Sequence, residues 1–188
     1  MQKIISQIKE ILLEAIKKQG SDPYGLQAHL KQVERWANVL LKTHPKANKQ
    51  VVILSVWLHD IGHYPLTEED HAISGEKKAI QILKKNKINP EIIKQVAHSV
   101  RAHRCKDIMP DTMEARILAC ADSASHFTDF LYFEIAMQNR NKESDYDPLA
   151  KMERDYRDVA LFPEIKRKLK PMYKKWKSLI REYQKLNY

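Results

Sequence analysis

Apolar residues recur along most of the chain at the three- and four-residue spacing of amphipathic helices. The first such stripe covers residues 4–15 and ends near Gly20. Later stripes predict helices at about Leu26–Lys42, Asn48–Ile61, His71–Lys85, Pro90–His103 and Met113–Asn139, and two further helices separated by Pro163. We therefore expect an all-α fold with one compact domain over residues 1–188. Its core covers about 24–140, and a C-terminal helical extension covers 150–188.

The segment from Val51 to Leu58 is apolar on nearly every side, which is typical of the central helix of a domain. It leads directly into His59 and Asp60. Burying an imidazole beside a carboxylate costs several kcal/mol unless a partner neutralises or coordinates them. A metal ion does both, because it accepts a neutral histidine nitrogen and a carboxylate oxygen together.

Two more candidate ligands, His29 and Asp122, lie beside the apolar stripes of other predicted helices. Taken singly, such a histidine is usually a core residue and such an aspartate is usually a helix cap or an ion-pair partner. Together with His59 and Asp60 they favour a metal site built between the helices of a bundle. Two imidazoles and two carboxylates suit Mn, Fe, Co, Ni or Zn better than Ca.

The order His29, His59-Asp60-Ile61-Gly62 and Asp122 resembles the signature of the HD-domain metal-dependent phosphohydrolases, over roughly residues 26–137. The resemblance implies that His29, His59, Asp60 and Asp122 hold one divalent transition metal ion. In a two-metal subset of the family the first aspartate bridges the ions and two further histidines complete the second site. His71 and His103 match those two histidines, and His98 competes with His103.

The reaction implied by the resemblance is attack of a metal-activated water on a small nucleotide-like phosphoester or pyrophosphate. Asp60 and His63 are the predicted catalytic residues, and His63 is the candidate general acid, titrating near neutrality. Four cations near the second pair of histidines are predicted to bind the phosphoryl oxygens: Arg101, Arg104, Lys77 and Lys78.

The chain departs from the family pattern where phosphate is often bound. Gln32, Ser123 and His63 stand where many members carry Arg or Lys. These departures leave the substrate open, and they allow a second enzyme class, the di-iron oxygenases that share this fold and the six-ligand set. The GYP motif of the cyclic dinucleotide-degrading branch does not occur, so we do not predict that activity.

The net charge of +9 is concentrated in the C-terminal segment. Such a segment either binds nucleic acid or another polyanion, or it is the solvated face of an outer helix. We favour the solvated face, and we keep a metal-stabilised polyanion-binding protein as a third, non-enzymatic alternative.

The sequence contains no run of about 20 apolar residues, so no membrane span is expected. Cys105 and Cys120 are expected to be reduced thiols of a cytoplasmic protein. Helical HD domains often form homodimers, so the oligomeric state stays open.

Overall fold

The computed structural model describes residues 2–20, 22, 25–65 and 67–186. Within these residues the regular structure is helical, with no strand, which confirms the all-α prediction. The helices are α1 (Gln2–Gln19), α2 (Leu26–Thr43), α3 (Lys49–Leu58), α4 (His71–Lys85), α5 (Pro90–Ala102), α6 (Met113–Ser125), α7 (Leu131–Arg140), α8 (Pro148–Asp158) and α9 (Pro163–Lys185). Short 3-10 helices cover Ile61–His63 and Val159–Leu161. None of the described helices is long and apolar enough to cross a membrane.

The chain divides into two compact units, one ending at Ala121 and the other beginning at Asp122. The division falls inside α6. The prediction of one domain over the whole chain stays a prediction.

Helix α3 is the centre of the first unit, as its apolar sequence predicts. All eight residues from Val51 to Leu58 are buried, and α1, α2 and α5 pack against this helix. Asn48 caps its first turn, because the side-chain oxygen accepts hydrogen bonds from the backbone N–H groups of Gln50 and Val51. Burial of each large apolar side chain contributes about 1.5–3 kcal/mol, so α3 is a firm support for the residues that follow it.

Gly62 brings α4 close to the end of α3. A Cβ atom on Gly62 would lie 1.9 Å from the backbone oxygen of His71, and a Cβ atom on Gly75 would lie 3.2 Å from the backbone oxygen of His59. These separations are short because two backbones approach each other here, so glycine is required at position 62. The approach places the start of α4 beside the residues that end α3.

The predicted long helix over Met113–Asn139 is wrong: α6 ends at Ser125 and α7 begins at Leu131. Polar side chains bond to the backbone between the two helices. The hydroxyl group of Thr128 donates to the backbone oxygen of Ser125, and Asp129 accepts from the backbone N–H of Leu131. Such local bonds compete with helical hydrogen bonds, and they account for the break.

In the second unit, α9 packs against α7 and α8. Its buried residues are Ile165, Leu169 and Ile180. The indole N–H of Trp176 donates to the backbone oxygen of Phe127 at 3.2 Å. This side of α9 is therefore fixed to the unit and its opposite side faces solvent.

Candidate metal centre

The pair His59-Asp60 lies where the central helix ends. Helix α3 stops at Leu58, His59 is its C-terminal cap, and Asp60 precedes the short 3-10 helix. The imidazole of His59 is fully buried, and the side chain of Asp60 is 14% exposed. The burial expected from the apolar run is thus confirmed, and the two groups need compensation.

One carboxylate oxygen of Asp60 faces two histidines. Its Oδ2 lies 3.2 Å from Nε2 of His59 and 3.6 Å from Nε2 of His29, which comes from α2. The two Nε2 atoms are 3.4 Å apart. These three side chains can offer one ligand atom each to a single ion.

The other oxygen of Asp60 faces a second pair of histidines. Its Oδ1 lies 3.5 Å from Nε2 of His71, the first residue of α4, and 3.8 Å from Nε2 of His103, which caps α5. These two Nε2 atoms are 3.3 Å apart. Asp60 is thus flanked by two histidine pairs, one on each oxygen.

Backbone hydrogen bonds fix the orientation of the two buried rings. Nδ1 of His59 donates to the carbonyl oxygen of Val56 at 2.9 Å, and Nδ1 of His103 donates to that of Val100 at 2.6 Å. In the neutral rings the Nε2 atoms then carry lone pairs, which point toward the carboxylate of Asp60. Lone pairs facing a carboxylate repel unless a cation lies between them, so this donor set fits a divalent ion. Such carbonyl partners are the usual means of orienting a metal-binding histidine.

The pKa shifts in the cluster also favour metal binding. Burial alone would raise the pKa of Asp60, but His59, His71 and His63 hold it well below its usual value. Burial lowers the pKa of His71, and the nearby Arg104 lowers it further. The aspartate is therefore ionised and the histidine neutral at pH 7, which are the protonation states that bind metal.

His63, the predicted general acid, lies at the edge of this cluster. Its ring stacks on that of His71, with the centroids 4.1 Å apart, and its Nε2 is 3.8 Å from Oδ1 of Asp60. Burial lowers the pKa of His63 to about 4, so the ring is neutral at pH 7. His63 therefore does not titrate near neutrality as expected, because burial lowers its pKa more than the charge of Asp60 raises it.

The structure separates His98 from His103. Nε2 of His98 lies 2.5 Å from a carboxylate oxygen of Asp111, away from the cluster around Asp60. His103 is the histidine of this pair that faces Asp60.

The four predicted phosphate-binding cations already have partners. Arg101 binds Asp107 and approaches Glu76, and Arg104 binds Asp70. The other two are lysines of α4: Lys77 lies 2.5 Å from Glu69, and Lys78 donates to the backbone oxygen of Tyr64 at 2.6 Å. Arg104 is the cation whose charge acts on both His63 and His71.

Asp122, the remaining predicted ligand, belongs to the second unit, where it lies on α6 one turn before His126. Its Oδ1 is 3.7 Å from Nε2 of His126. On its other side His126 meets a buried group of polar residues. Asp155 accepts hydrogen bonds from Tyr132 at 2.9 Å and from Lys151 at 2.6 Å, and it lies 3.1 Å from Nδ1 of His126.

Tyr132, Lys151 and Asp155 were not predicted from the sequence. Helix α8 is so polar that its charged residues look solvent-exposed. One signal was present, because Asp155 follows Met152 by three residues and both are buried. A helical stripe that mixes a methionine with a carboxylate indicates a buried charge that needs partners.

These observations define an all-α protein with a histidine-rich centre around one aspartate, compatible with a metal site. The family model described as the HD domain matches residues 26–125, which is just over half of the chain. The protein therefore belongs to the HD domain family, whose members are generally metal-dependent hydrolases. No solved structure matches the chain.

Proposed function

We propose that the protein is a metal-dependent phosphohydrolase that acts on a small nucleotide-like phosphoester or pyrophosphate. The observation that carries this proposal is the position of Asp60 between two pairs of histidine Nε2 atoms. In this proposal His29, His59, Asp60 and Asp122 hold one divalent ion. Asp60, His71 and His103 would hold a second ion, and Asp60 would then be shared between the two ions.

When bound, ions drawn from Mn, Fe, Co, Ni and Zn would supply Lewis-acid charge and would lower the pKa of a bound water. The chain supplies the geometry. Val56 and Val100 hold the rings of His59 and His103 through Nδ1, so their Nε2 atoms stay directed at the centre. The close contact at Gly62 holds His71 against the same aspartate.

Substrate binding in this proposal uses the cations beside the second histidine pair. Arg104 is the first candidate, because its charge acts on His63 and His71. A phosphoryl oxygen would take the place that the carboxylate of Asp70 now occupies on Arg104. Arg101, Lys77 and Lys78 are further candidates for phosphoryl oxygens, and His63 is the candidate for proton transfer at the leaving oxygen.

The direct test is hydrolysis of a panel of nucleoside monophosphates, dinucleoside polyphosphates and model phosphodiesters, with each metal added in turn. We expect Asp60→Ala to abolish hydrolysis. His98→Gln serves as the matched control, because it alters a histidine outside the cluster. Unchanged hydrolysis by Asp60→Ala would overturn the proposed site.

A di-iron oxygenase is the second candidate. All four predicted phosphate-binding cations are bound to other groups of the protein, while both histidine pairs face Asp60. This arrangement favours an oxygenase, which needs the histidines but no phosphate-binding cations. Aerobic purification followed by iron analysis and electron paramagnetic resonance separates the two. A mixed-valent di-iron signal together with no activity on the phosphoester panel would favour the oxygenase.

A further inference from the structure

Helix α9 carries most of the net charge of the protein. Its 23 residues contain nine Lys and Arg and two Glu, although the whole chain has a net charge of only +9. The sequence alone favours a solvated helix face over a binding surface. The distinction depends on where these cations lie around the helix.

Five of the cations lie on one side of α9. With 3.6 residues per turn, they fall within a sector about 60° wide, and the sector extends over roughly 27 Å of the helix. Pro163, at the start of the helix, is the only other residue in this sector. We call the five cations the basic stripe, and all of them are exposed: Arg167, Lys170, Lys174, Arg181 and Lys185.

The basic stripe is poorly neutralised. Among the described residues, Arg167, Lys170 and Lys174 form no ion pair, and Lys185 is bound to Glu182 on its own helix at 2.8 Å. Other cations of the helix are engaged elsewhere. Lys177 lies 2.5 Å from Glu153, and Lys166 lies over the ring of Tyr156. Much of the uncompensated charge of α9 therefore lies along the outward-facing stripe.

We propose that the basic stripe binds the phosphate backbone of duplex nucleic acid without sequence preference. The inference goes beyond the proposed hydrolase activity and does not depend on it. A straight row of cations complements an extended row of phosphates, and such contacts carry affinity but no base specificity. The stripe contains no aromatic side chain, so it lacks the stacking surface typical of single-strand binding.

A membrane surface fits this helix less well. Helices that lie in the membrane interface insert a broad apolar face between the lipids. The apolar face of α9, with Ile165, Leu169 and Ile180, is buried in the second unit. The exposed Met172 and Leu179 lie on the far side of the helix, roughly 150–170° around from the middle of the stripe, where they form only a narrow row. Backbone phosphates are therefore the partner that the charge pattern favours.

The test is fluorescence anisotropy with two 24-base-pair duplexes of unrelated sequence over a range of salt concentrations. The stripe variant carries Arg167→Gln, Lys170→Gln and Lys174→Gln. The matched control carries Lys84→Gln, Lys85→Gln and Lys94→Gln, which removes the same charge from exposed positions of α4 and α5. We expect equal binding of both duplexes by the wild type. We also expect about tenfold or greater weakening in the stripe variant, and a log–log salt slope reduced by about 3.

The control variant and Asp60→Ala are expected to bind the duplexes like the wild type. Equal weakening of the stripe and control variants would overturn the proposal, because it would show an effect of total charge alone. No binding by the wild type would also overturn it, as would stripe-dependent binding to phosphatidylserine vesicles without binding to duplex. Lysine acetylation mapped by mass spectrometry on the wild type gives a second readout that needs no variant. Duplex should protect Lys170 and Lys174 but not Lys84.

Discussion

Gly62 is the residue on which the geometry of the centre most directly depends. We predict that Gly62→Ala lowers the free energy of unfolding by about 1–3 kcal/mol, the usual cost of forcing extra atoms into a packed site. The reason is that its Cβ would lie 1.9 Å from the backbone oxygen of His71, which cannot rotate away. Urea denaturation followed by circular dichroism measures the change.

Gly75→Ala is the comparison for this prediction, since its Cβ would lie 3.2 Å from the backbone oxygen of His59. That contact needs a shift of only a few tenths of an ångström, so Gly75→Ala is expected to be the milder change. If Gly62→Ala were as stable as the wild type, the close approach of α4 to the end of α3 would be wrong.

Asp155 gives a prediction about pH. Burial would raise its pKa, but Lys151 and His126 lower it below the usual value near 4. Its carboxylate therefore stabilises the fold fully above the unfolded pKa, and this contribution is lost as the pH falls through the folded value. We predict that Asp155→Asn is less stable than the wild type at pH 7 and that the difference narrows as the pH drops from about 5 to about 3. Urea midpoints at several pH values test this, and a difference that stays constant with pH would contradict it.

The ion pairs of the predicted substrate-binding cations could not be predicted from local sequence. The partner of Arg104 is Asp70, 34 residues earlier in the chain. No local spacing connects such positions, because the contact arises only when α4 and α5 pack together. His29, His59 and Asp60 were predicted from local signals, because each adjoins the apolar stripe of its own helix, whereas His71 and His103 were predicted only from the resemblance to the HD-domain family.

Among the helices, α3 is the most important for the candidate metal centre, because it supports His59 and Asp60. We predict that Asn48→Ala destabilises the protein by about 1 kcal/mol, since it removes the side-chain oxygen that accepts from the first turn of α3. Asn48→Asp keeps an acceptor at that place and should retain nearly all of the stability. Thermal unfolding of both variants is the measurement. Equal loss in the two variants would show that the cap itself does not contribute.

The helices most accurately predicted are those with a clear apolar stripe and a marked end. Pro90 begins α5 and Pro163 begins α9, as proline at the first position of a helix predicts. The break after Ser125 was missed because the residues on both sides continue the apolar spacing. The break depends on the side chains of Thr128 and Asp129, whose bonds to the backbone are not evident from periodicity.

For the molecule as a whole, the sequence predicts the fold class and most residues of the candidate metal centre. It does not predict the second unit in detail. The HD domain match ends at residue 125, and the buried group of Asp155, Lys151 and Tyr132 lies beyond it. Tyr132 comes from α7 and the other two come from α8, whose polar sequence does not indicate a buried core. The basic stripe likewise becomes visible only when the buried side of α9 is known.

Metal binding should also stabilise the folded protein as a whole. A ligand that binds only the folded state at 100 times its dissociation constant adds about 2.7 kcal/mol to the free energy of unfolding. We therefore predict that removing metal with a chelator lowers the melting temperature of the wild type. The same treatment should not alter that of Asp60→Ala. An equal shift in both proteins would place the stabilising metal elsewhere.

In the proposed centre, Asp60 joins two metal positions, one on each carboxylate oxygen. The most direct measurement is the metal content of purified protein by inductively coupled plasma mass spectrometry, for the wild type, Asp60→Ala, His71→Gln/His103→Gln and His98→Gln. We predict two ions per chain in the wild type and in His98→Gln, one ion in the double variant, and loss of metal from Asp60→Ala. Wild-type metal content in Asp60→Ala would show that Asp60 does not hold the metal.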